Sequence, residues 1–163
     1  MRELDFRLAR PQDAPRLQQI RAAAFAPIFS SFRVLLGDEI YDLAQRREDE
    51  AQADLLASLI AGGPPWQLYV ASEGEDLVGF VAVRIDHETG CGEIGLSAVD
   101  PAAAGRGVGT AMYDYAVAVM RGSGMRVATV ATGADASHAP ARRAYEKAGF
   151  DRAVPSVWMC RRL

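Results

Sequence analysis

The chain is poor in the residues that would indicate a nucleic-acid-binding or a secreted, disulfide-rich protein. Lysine occurs once, at Lys147, and 18 basic against 21 acidic residues give a formal net charge of −3. This balance predicts neither a nucleic acid nor an anionic membrane surface as partner. No apolar run approaches the length of a membrane span, and the first 13 residues lack the apolar core of a signal peptide.

Cysteine and histidine are also scarce. The two cysteines, Cys91 and Cys160, have no CxxC spacing, and the two histidines, His87 and His138, stand apart from them. The sequence therefore predicts no metal site and no acyl-cysteine intermediate, and it favours a reduced, cytoplasmic setting. The strong preference for arginine over lysine, with abundant alanine, is typical of a GC-rich bacterial gene.

Hydrophobic periodicity predicts one mixed α/β domain over residues 1–163, a size typical of a single domain. Apolar residues at alternating positions predict strands, and apolar residues three and four apart predict helices. The expected strands are 4–9, 67–72, 77–85, 93–99, 125–132 and 154–163. The expected helices begin near Pro11 (interrupted at Pro27), within 37–61, after Gly107 and at Ser137.

A glycine-rich loop stands between the strand at 93–99 and the following helix. Gly105, Gly107 and Gly109 fall within five positions, with Arg106 between the first two. The first turn of a helix carries backbone N–H groups without intrahelical partners and a partial positive charge. Because glycine lets a ligand approach the backbone closely, the loop predicts a phosphate or pyrophosphate site. A tight strand-to-helix turn without a ligand is the alternative.

Two nucleotide-binding motifs fit this loop poorly. A P-loop requires GxxxxGK[ST], and no lysine is present here. The dinucleotide pattern GxGxxG fits Gly105 and Gly107, but Thr110 stands where its third glycine belongs. The acidic residue expected about 20 positions later is also missing.

The segments VDPAAAGRGVGTAM and ARRAYEKAGF together resemble the GNAT superfamily of acetyl-CoA-dependent N-acetyltransferases. The loop pattern of that family, [Q/R]-x-x-G-x-[G/A], falls on Ala104, Gly107 and Gly109. Its second hallmark falls on Tyr145, Glu146, Lys147, Gly149 and Phe150. The two motifs cover about residues 93–150, whereas residues 1–63 resemble the family only in the order of their elements.

This resemblance implies a single-domain GNAT-like α/β fold. Its central sheet would be mixed and mostly antiparallel, with six or seven strands, flanked by helices and splayed at the acyl-CoA site. Helices at about 12–61 would lie on the acceptor side, and about 93–150 would form the acyl-CoA-binding core. Many relatives form dimers, so a homodimer is expected.

The resemblance also implies which residues hold acetyl-CoA, with the pyrophosphate on the loop amides and the pantetheine arm along the strand. They are Leu96, Ala98, Val99, Ala104, Gly105, Arg106, Gly107, Val108, Gly109, Thr110, His138 and Tyr145. Two positions depart from the family pattern. Ala104 replaces a Gln or Arg, for which Arg106 is expected to compensate, and His138 stands where many members have Asn.

Acetyl transfer to an amine requires a base for the ammonium and an acid for the leaving thiolate. Tyr145 is the candidate acid, since it lies on an apolar helix stripe and matches the tyrosine that protonates the CoA sulfur in relatives. Glu93 is the candidate base, acting directly or through water. Strand alternation places Glu93 on one face with Gly95, Ser97 and Val99.

The sequence thus predicts an N-acetyltransferase that moves acetyl from acetyl-CoA to a primary amine by direct attack. The alternative is a non-catalytic acyl-CoA-binding sensor or regulatory protein with the same fold. Acidic residues are frequent from Asp38 to Asp54, so a cationic amine of a small molecule or peptide is the expected acceptor. The sequence does not identify that amine.

Overall fold

The computed structural model describes residues 3–163; the first two residues of the predicted domain lie outside this range. A five-stranded sheet has the strand order β1-β2-β3-β4-β5. The strands are β1 Asp5–Leu8, β2 Trp66–Glu73, β3 Asp76–Asp86, β4 Cys91–Val99 and β5 Val127–Val130. The first four are antiparallel neighbours, and β5 runs parallel to β4. The predicted mixed, mostly antiparallel sheet is confirmed.

Five helices cover the two faces of this sheet. They are α1 Ala14–Leu36, α2 Asp38–Ala44, α3 Arg46–Ala61, α4 Val108–Gly122 and α5 Ala139–Lys147. The predicted interruption of α1 at Pro27 is wrong, because the helix continues for nine residues beyond it. Proline removes one intrahelical hydrogen bond, and this loss does not end a helix whose Leu17 and Ile20 are anchored in the core.

Apolar side chains form one cluster on each face of the sheet. On one face Val81, Val83 and Ile94 pack against α4 and α5. On the other face Phe80, Ala82 and Ala98 pack against α1 and α3. Strand β3 is buried on both sides, as expected for a run of apolar residues in the middle of a sheet.

A β-bulge in β4 changes which side chains share a face. Val81 pairs with Ser97 but Val83 pairs with Ile94, so β4 contains one extra residue between these pairs. Ile94 and Val99 therefore pack in the α4–α5 cluster, while Leu96 and Ala98 pack in the α1–α3 cluster. Strict alternation from the sequence could not anticipate this change of phase.

The expected sixth strand, 154–163, is wrong. Residues 151–163 have no regular secondary structure and are exposed throughout, and none of them pairs with a strand of the described chain. A strand requires a neighbour for its backbone N–H and C=O groups, and this segment has none. The sheet consequently has five strands rather than six or seven.

No single helix among residues 3–163 is long and apolar enough to cross a membrane. One bent pair, 11–36 with 38–44, reaches the required length and composition only when the two helices are taken together.

Candidate acyl-CoA site

The glycine-rich loop connects the end of β4 to α4 in a conformation that needs glycine at two positions. Gly105 has φ 75° and Gly107 has φ 84°. Gly107 is the N-cap of α4 in the left-handed region, where a Cβ atom is unfavourable. Asp100 stabilises the entry to the loop by accepting a hydrogen bond from the backbone N–H of Ala102, 2.9 Å away.

Six consecutive backbone N–H groups of this loop donate no hydrogen bond of normal geometry to another described residue. They are those of Gly105, Arg106, Gly107, Val108, Gly109 and Thr110. The first intrahelical bond of the segment is donated only by Ala111, to the carbonyl of Gly107. Free N–H groups at a helix N-terminus favour an anion, and the helix dipole strengthens that preference. This geometry fits a pyrophosphate on the predicted loop.

The predicted cationic residue of the loop is engaged with another part of the chain. Arg106 Nη1 lies 3.1 Å from Glu73 Oε2 at the end of β2. The Glu73 side chain is only 7% exposed, whereas Arg106 is about half exposed. The ion pair therefore connects the loop to the β2–β3 turn, and it compensates a carboxylate that would otherwise be buried without a partner.

Strands β4 and β5 separate in front of the loop. Their parallel pairing ends at Ile94 with Val130, yet β4 continues to Val99. The β5-facing edge of residues 95–99 therefore has no strand partner among the described residues. This free edge contains Leu96, Ala98 and Val99, and the predicted splay of the sheet is confirmed.

Tyr145 on α5 lies beside this free edge. Its side chain is buried at 7% exposure, and its hydroxyl lies 3.5 Å from the hydroxyl of Ser97 on β4. Tyr113 on α4 stacks on the Tyr145 ring with centroids 4.2 Å apart, and its hydroxyl lies 3.3 Å from the same Ser97 oxygen. Phe150 closes the other side of Tyr145 with an edge contact at 5.8 Å. The two tyrosines and Ser97 thus form one hydroxyl cluster next to the splay.

The Tyr113 hydroxyl of this cluster is deeply buried, and this burial affects its protonation. Burial raises the pKa of the Tyr113 hydroxyl far above its ordinary value, and the neighbouring Tyr145 adds to the effect. Tyr113 is therefore protonated at neutral pH and available as a hydrogen-bonding group. Its ring and hydroxyl fix the orientation of Tyr145 and Ser97.

Glu93 lies on the opposite face of the sheet from this cluster. It pairs across the strands with Arg84, and Arg84 Nη2 lies 2.7 Å from Glu93 Oε2. Arg84 also lies over the ring of Trp66, 6.0 Å from its centroid. The expectation that Glu93 shares a face with Ser97 and Val99 is wrong, because the bulge at residues 95–96 reverses the alternation between them. Glu93 is about one third exposed and is bound to a cation.

His138 precedes α5 and contacts both its own turn and α1. Its Nδ1 lies 2.6 Å from Asp135 Oδ1, and its ring lies 5.8 Å from that of Phe32. Burial acts to raise the pKa of Asp135, but hydrogen bonds from Ser137 and His138 and the charge of His138 lower it overall. The Asp135–His138 pair thus holds the imidazole between α5 and the end of α1.

Several acidic side chains of α2 and α3 are bound to other residues of the chain and are therefore less available to a ligand than the composition suggests. Asp38 and Asp42 pair with arginines, and Glu39 lies 3.0 Å from Arg162. Asp49 is buried and accepts a hydrogen bond from the hydroxyl of Tyr41, at 2.7 Å. Of the seven acidic residues between 38 and 54, three are therefore paired with arginines and a fourth, Asp49, is buried and hydrogen-bonded to neutral groups.

Several residues of the site were missed from the sequence. Tyr113 was not placed on the buried stripe of α4, although it follows Val108 and Met112 at positions that face the sheet. Arg84 and Glu73 carry no motif of their own, and only the strand register reveals their partners. Among residues 3–163 no group of acidic, histidine or cysteine side chains has the geometry of a metal site.

Comparison with known proteins agrees with this fold. The sequence profile described as Acetyltransferase (GNAT) family matches residues 31–150, which is more than half of the chain. The chain therefore belongs to the GNAT acetyltransferase family, which is a family of acyltransferases. No curated protein sequence matches the chain at a significant level.

Solved structures of low sequence identity share the fold. A putative acetyltransferase of the GNAT family from Desulfovibrio desulfuricans has a TM-score of 0.70 at 23% identity, covering 93% of this chain and 87% of its own. A GNAT family acetyltransferase from Brucella melitensis, in complex with acetyl-CoA, has a TM-score of 0.59 at 24% identity, covering 88% and 82%. The ribosomal-protein-S18-alanine N-acetyltransferase from Escherichia coli has a TM-score of 0.67 at 16% identity, covering 93% and 80%.

Proposed function

We propose that this protein is an N-acetyltransferase that transfers the acetyl group of acetyl-CoA directly to a primary amine of a small molecule or peptide. The observation that carries the proposal is the row of six free N–H groups at the N-terminus of α4, next to the unpaired edge of β4. An anion-binding loop and an extended backbone edge, placed end to end, fit the pyrophosphate and the pantetheine arm of CoA.

In this proposal the backbone amides of residues 105–110 hold the pyrophosphate. Ala104 provides no side-chain contact, and Arg106 acts through Glu73 by holding the loop in place. The backbone of Leu96, Ala98 and Val99 pairs with the pantetheine arm. His138 contributes where many relatives have Asn, with its imidazole held by Asp135.

The chemical step is a direct attack of the amine on the thioester. The amine nitrogen bonds to the carbonyl carbon, the carbon–sulfur bond breaks, and the thiolate takes the proton of the Tyr145 hydroxyl. The attacking nitrogen then loses its extra proton to water to give the neutral amide, and the Tyr145 oxygen regains a proton from water, so that the products are the acetylated amine and CoA thiol. The ammonium of the acceptor first loses its proton, either to Glu93 or to a water that Glu93 orients. Because Glu93 and Tyr145 lie on opposite faces of the sheet, the acid and the base would approach the splay from opposite sides.

The acceptor is an amine reached from the side of α1 and α2. The acetylated group named for the Escherichia coli neighbour is the alanine of a ribosomal protein, which supports an amine but not a particular one. A reduced, cytoplasmic location, a bacterial source and a homodimer belong to the same proposal.

A non-catalytic acyl-CoA sensor is the second candidate, and the ion pair between Arg84 and Glu93 favours it. A carboxylate held by a guanidinium at 2.7 Å must leave that partner, or act through water, before it can accept a proton. A sensor would need the loop and the β4 edge but neither Glu93 nor Tyr145.

A thiol-release assay separates the two functions. Purified protein is incubated with acetyl-CoA and a panel of amines, and free CoA thiol is measured alongside acetyl-CoA affinity by calorimetry. Release that depends on one class of amine supports the transferase. Binding without release from any amine supports the sensor, and absence of binding at high micromolar acetyl-CoA would overturn both.

A further inference from the structure

The ion pair between Arg84 and Glu93 lies at the point where β4 and β5 separate. Glu93 still belongs to the paired part of β4, the pairing ends one residue later at Ile94, and Gly95 is the first residue of the free edge. The proposed function places the thioester along this edge and makes Glu93 its base. Arg84 therefore stands next to any amine that Glu93 deprotonates.

Arg84 is held in a fixed position by contacts on two sides. Its Nε donates a hydrogen bond to Glu93 Oε2 at 2.9 Å, and its Nη2 lies 2.7 Å from the same oxygen. The ring of Trp66 lies on another side of the guanidinium, with its centroid 6.0 Å away. That ring rests on the β4 backbone, since a Cβ atom on Gly95 would lie only 2.5 Å from Trp66 Cζ3. The guanidinium is thus oriented before a ligand arrives.

The pair uses only part of its hydrogen-bonding capacity. Both contacts go to Oε2 of Glu93, whereas Glu93 Oε1 and Arg84 Nη1 form no hydrogen bond of normal geometry with another described residue. The neighbouring carboxylate of Asp86 does not take up the free donors of Arg84, because it accepts the backbone N–H groups of Glu88 and Thr89 in its own turn. The Arg84 and Glu93 side chains are 35% and 33% exposed, so a ligand can reach them.

A ligand that carries only an ammonium group fits this arrangement poorly. Arg84 compensates the charge of Glu93 and repels a second cation placed beside it. A ligand with both charges fits well, because its ammonium can approach Glu93 Oε1 while its carboxylate approaches Arg84 Nη1. Since the two protein charges are in direct contact, the two charges of the ligand must be adjacent as well.

We propose that the acceptor is an α-amino acid, bound with its ammonium on Glu93 Oε1 and its carboxylate on Arg84 Nη1. One carbon atom separates the two groups of an α-amino acid, which matches two protein charges in direct contact. This inference rests on the proposed function, and it narrows the primary amine of that function to a zwitterion.

The carboxylate of the acceptor takes no part in the transfer. Glu93, or a water on it, takes a proton of the ammonium, and the amine nitrogen then bonds to the acetyl carbon. The carbon–sulfur bond breaks and the thiolate takes the proton of Tyr145. Water receives the remaining proton of the nitrogen and returns one to Tyr145. The products are the N-acetyl amino acid, still bound through its carboxylate, and CoA thiol.

The first experiment compares acceptors that differ only in the carboxylate. Each standard α-amino acid except proline is assayed beside its own α-amide, with thiol release from acetyl-CoA as the readout. For the amino acid with the highest kcat/KM we expect a preference over its amide of roughly tenfold or more, as for a charge-assisted hydrogen bond. An adjacent carboxylate raises the pKa of the ammonium, so the amide has more free amine at neutral pH. A preference for the acid therefore cannot come from the reactivity of the amine.

The variant Arg84→Met tests which residue binds the carboxylate. We expect the preference for the acid to disappear, mainly through a higher KM for the acid, and Arg84→Lys to keep part of it. The amide is the internal reference, because it registers any effect that the loss of Arg84 has on Glu93. The matched control is Arg46→Met, which removes an arginine of similar exposure, 44%, that is paired with Asp42. It should keep the full preference, and all variants should share the circular dichroism spectrum of the wild type.

The outcomes separate this inference from the proposed function. Equal turnover of acids and amides, a preference that survives in Arg84→Met, or one that is lost equally in Arg46→Met would overturn the inference and leave the acetyltransferase standing. A preference for amides would overturn it in favour of a peptide N-terminus. Acetyl-CoA binding without thiol release from any amine would overturn the proposed function, and this inference with it.

Discussion

The rings of Tyr113 and Tyr145 stack with centroids 4.2 Å apart, and both hydroxyls lie within 3.5 Å of the Ser97 hydroxyl. Two helices, α4 and α5, thereby meet at this hydroxyl cluster on a largely apolar face of the sheet. Buried hydroxyl groups in proteins normally have a hydrogen-bond partner. Here each of the three hydroxyls has its partner among the other two. The cluster lies beside the unpaired edge of β4, where the proposed function places the thioester sulfur.

Replacing Tyr145 by Phe should lower turnover without weakening acetyl-CoA binding. The ring contacts with Tyr113 and Phe150 remain, and only the proton donor is lost. We expect kcat to fall roughly 100-fold, the lower end of what general acids contribute, with acetyl-CoA affinity within about twofold of wild type. Steady-state kinetics and calorimetry give the two numbers.

Tyr113→Phe is the matched control for this variant. It also removes one hydroxyl from the same stack, but one that the proposed mechanism does not use as the acid. The fall in kcat should be less than about tenfold. Equal losses in the two variants, or full activity of Tyr145→Phe, would remove Tyr145 from the role of acid.

Replacing Glu93 by Gln should give a loss of rate that shrinks as the pH rises. At neutral pH an aliphatic amine is almost entirely protonated, since its pKa is about 10, and a base is needed to free it. At higher pH more of the amine is already free, so the variant should approach wild type. The measurement is kcat/KM against pH for both proteins, and parallel profiles would argue against Glu93 as base.

Arg84→Met complements that experiment. It removes the cation that lies 2.7 Å from Glu93 while keeping a long side chain next to Trp66. If the ion pair restrains the base, activity at neutral pH should rise or hold steady. If the pair is needed to position Glu93, activity should fall to the level of Glu93→Gln. The sensor interpretation predicts no activity in either variant.

The ion pair between Arg106 and Glu73 should affect acetyl-CoA binding through the loop. Arg106→Gln and Glu73→Gln each break it, and we expect both to weaken acetyl-CoA binding several-fold. The double variant should be scarcely weaker than either single one, because one interaction is lost in all three. Calorimetry on the wild type, the two single variants and the double variant gives the four affinities of this double-mutant cycle. If the losses of acetyl-CoA affinity are instead additive, and the loss in Arg106→Gln is much larger than that in Glu73→Gln, then Arg106 contacts the phosphates directly.

The sequence predicted the parts of this protein that depend on local pattern. The glycine loop, the helix that follows it and the placement of Tyr145 all follow from spacing along one segment. The bulge of β4 has no such local pattern, because it depends on the register of β4 with β3. The prediction of which face of the sheet carries Glu93 was wrong for this reason. Partners distant in sequence were missed for the same reason, Glu73 for Arg106 and Arg84 for Glu93.

The conformation of Gly107 provides a test of the loop that leaves its side chains untouched. Its φ of 84° at the N-cap of α4 is unfavourable for any residue with a Cβ atom, by about 1–2 kcal/mol. Gly107→Ala should therefore distort the loop, reorient its N–H groups and weaken acetyl-CoA binding by roughly tenfold. Gly122→Ala is the matched control, because that glycine ends α4 with no positive φ and open space where its Cβ would lie. It should bind acetyl-CoA as wild type does and unfold at the same or a slightly higher temperature. Unchanged affinity in Gly107→Ala would show that the loop amides do not hold the ligand, and the anion site would have to be sought elsewhere on the β4 edge.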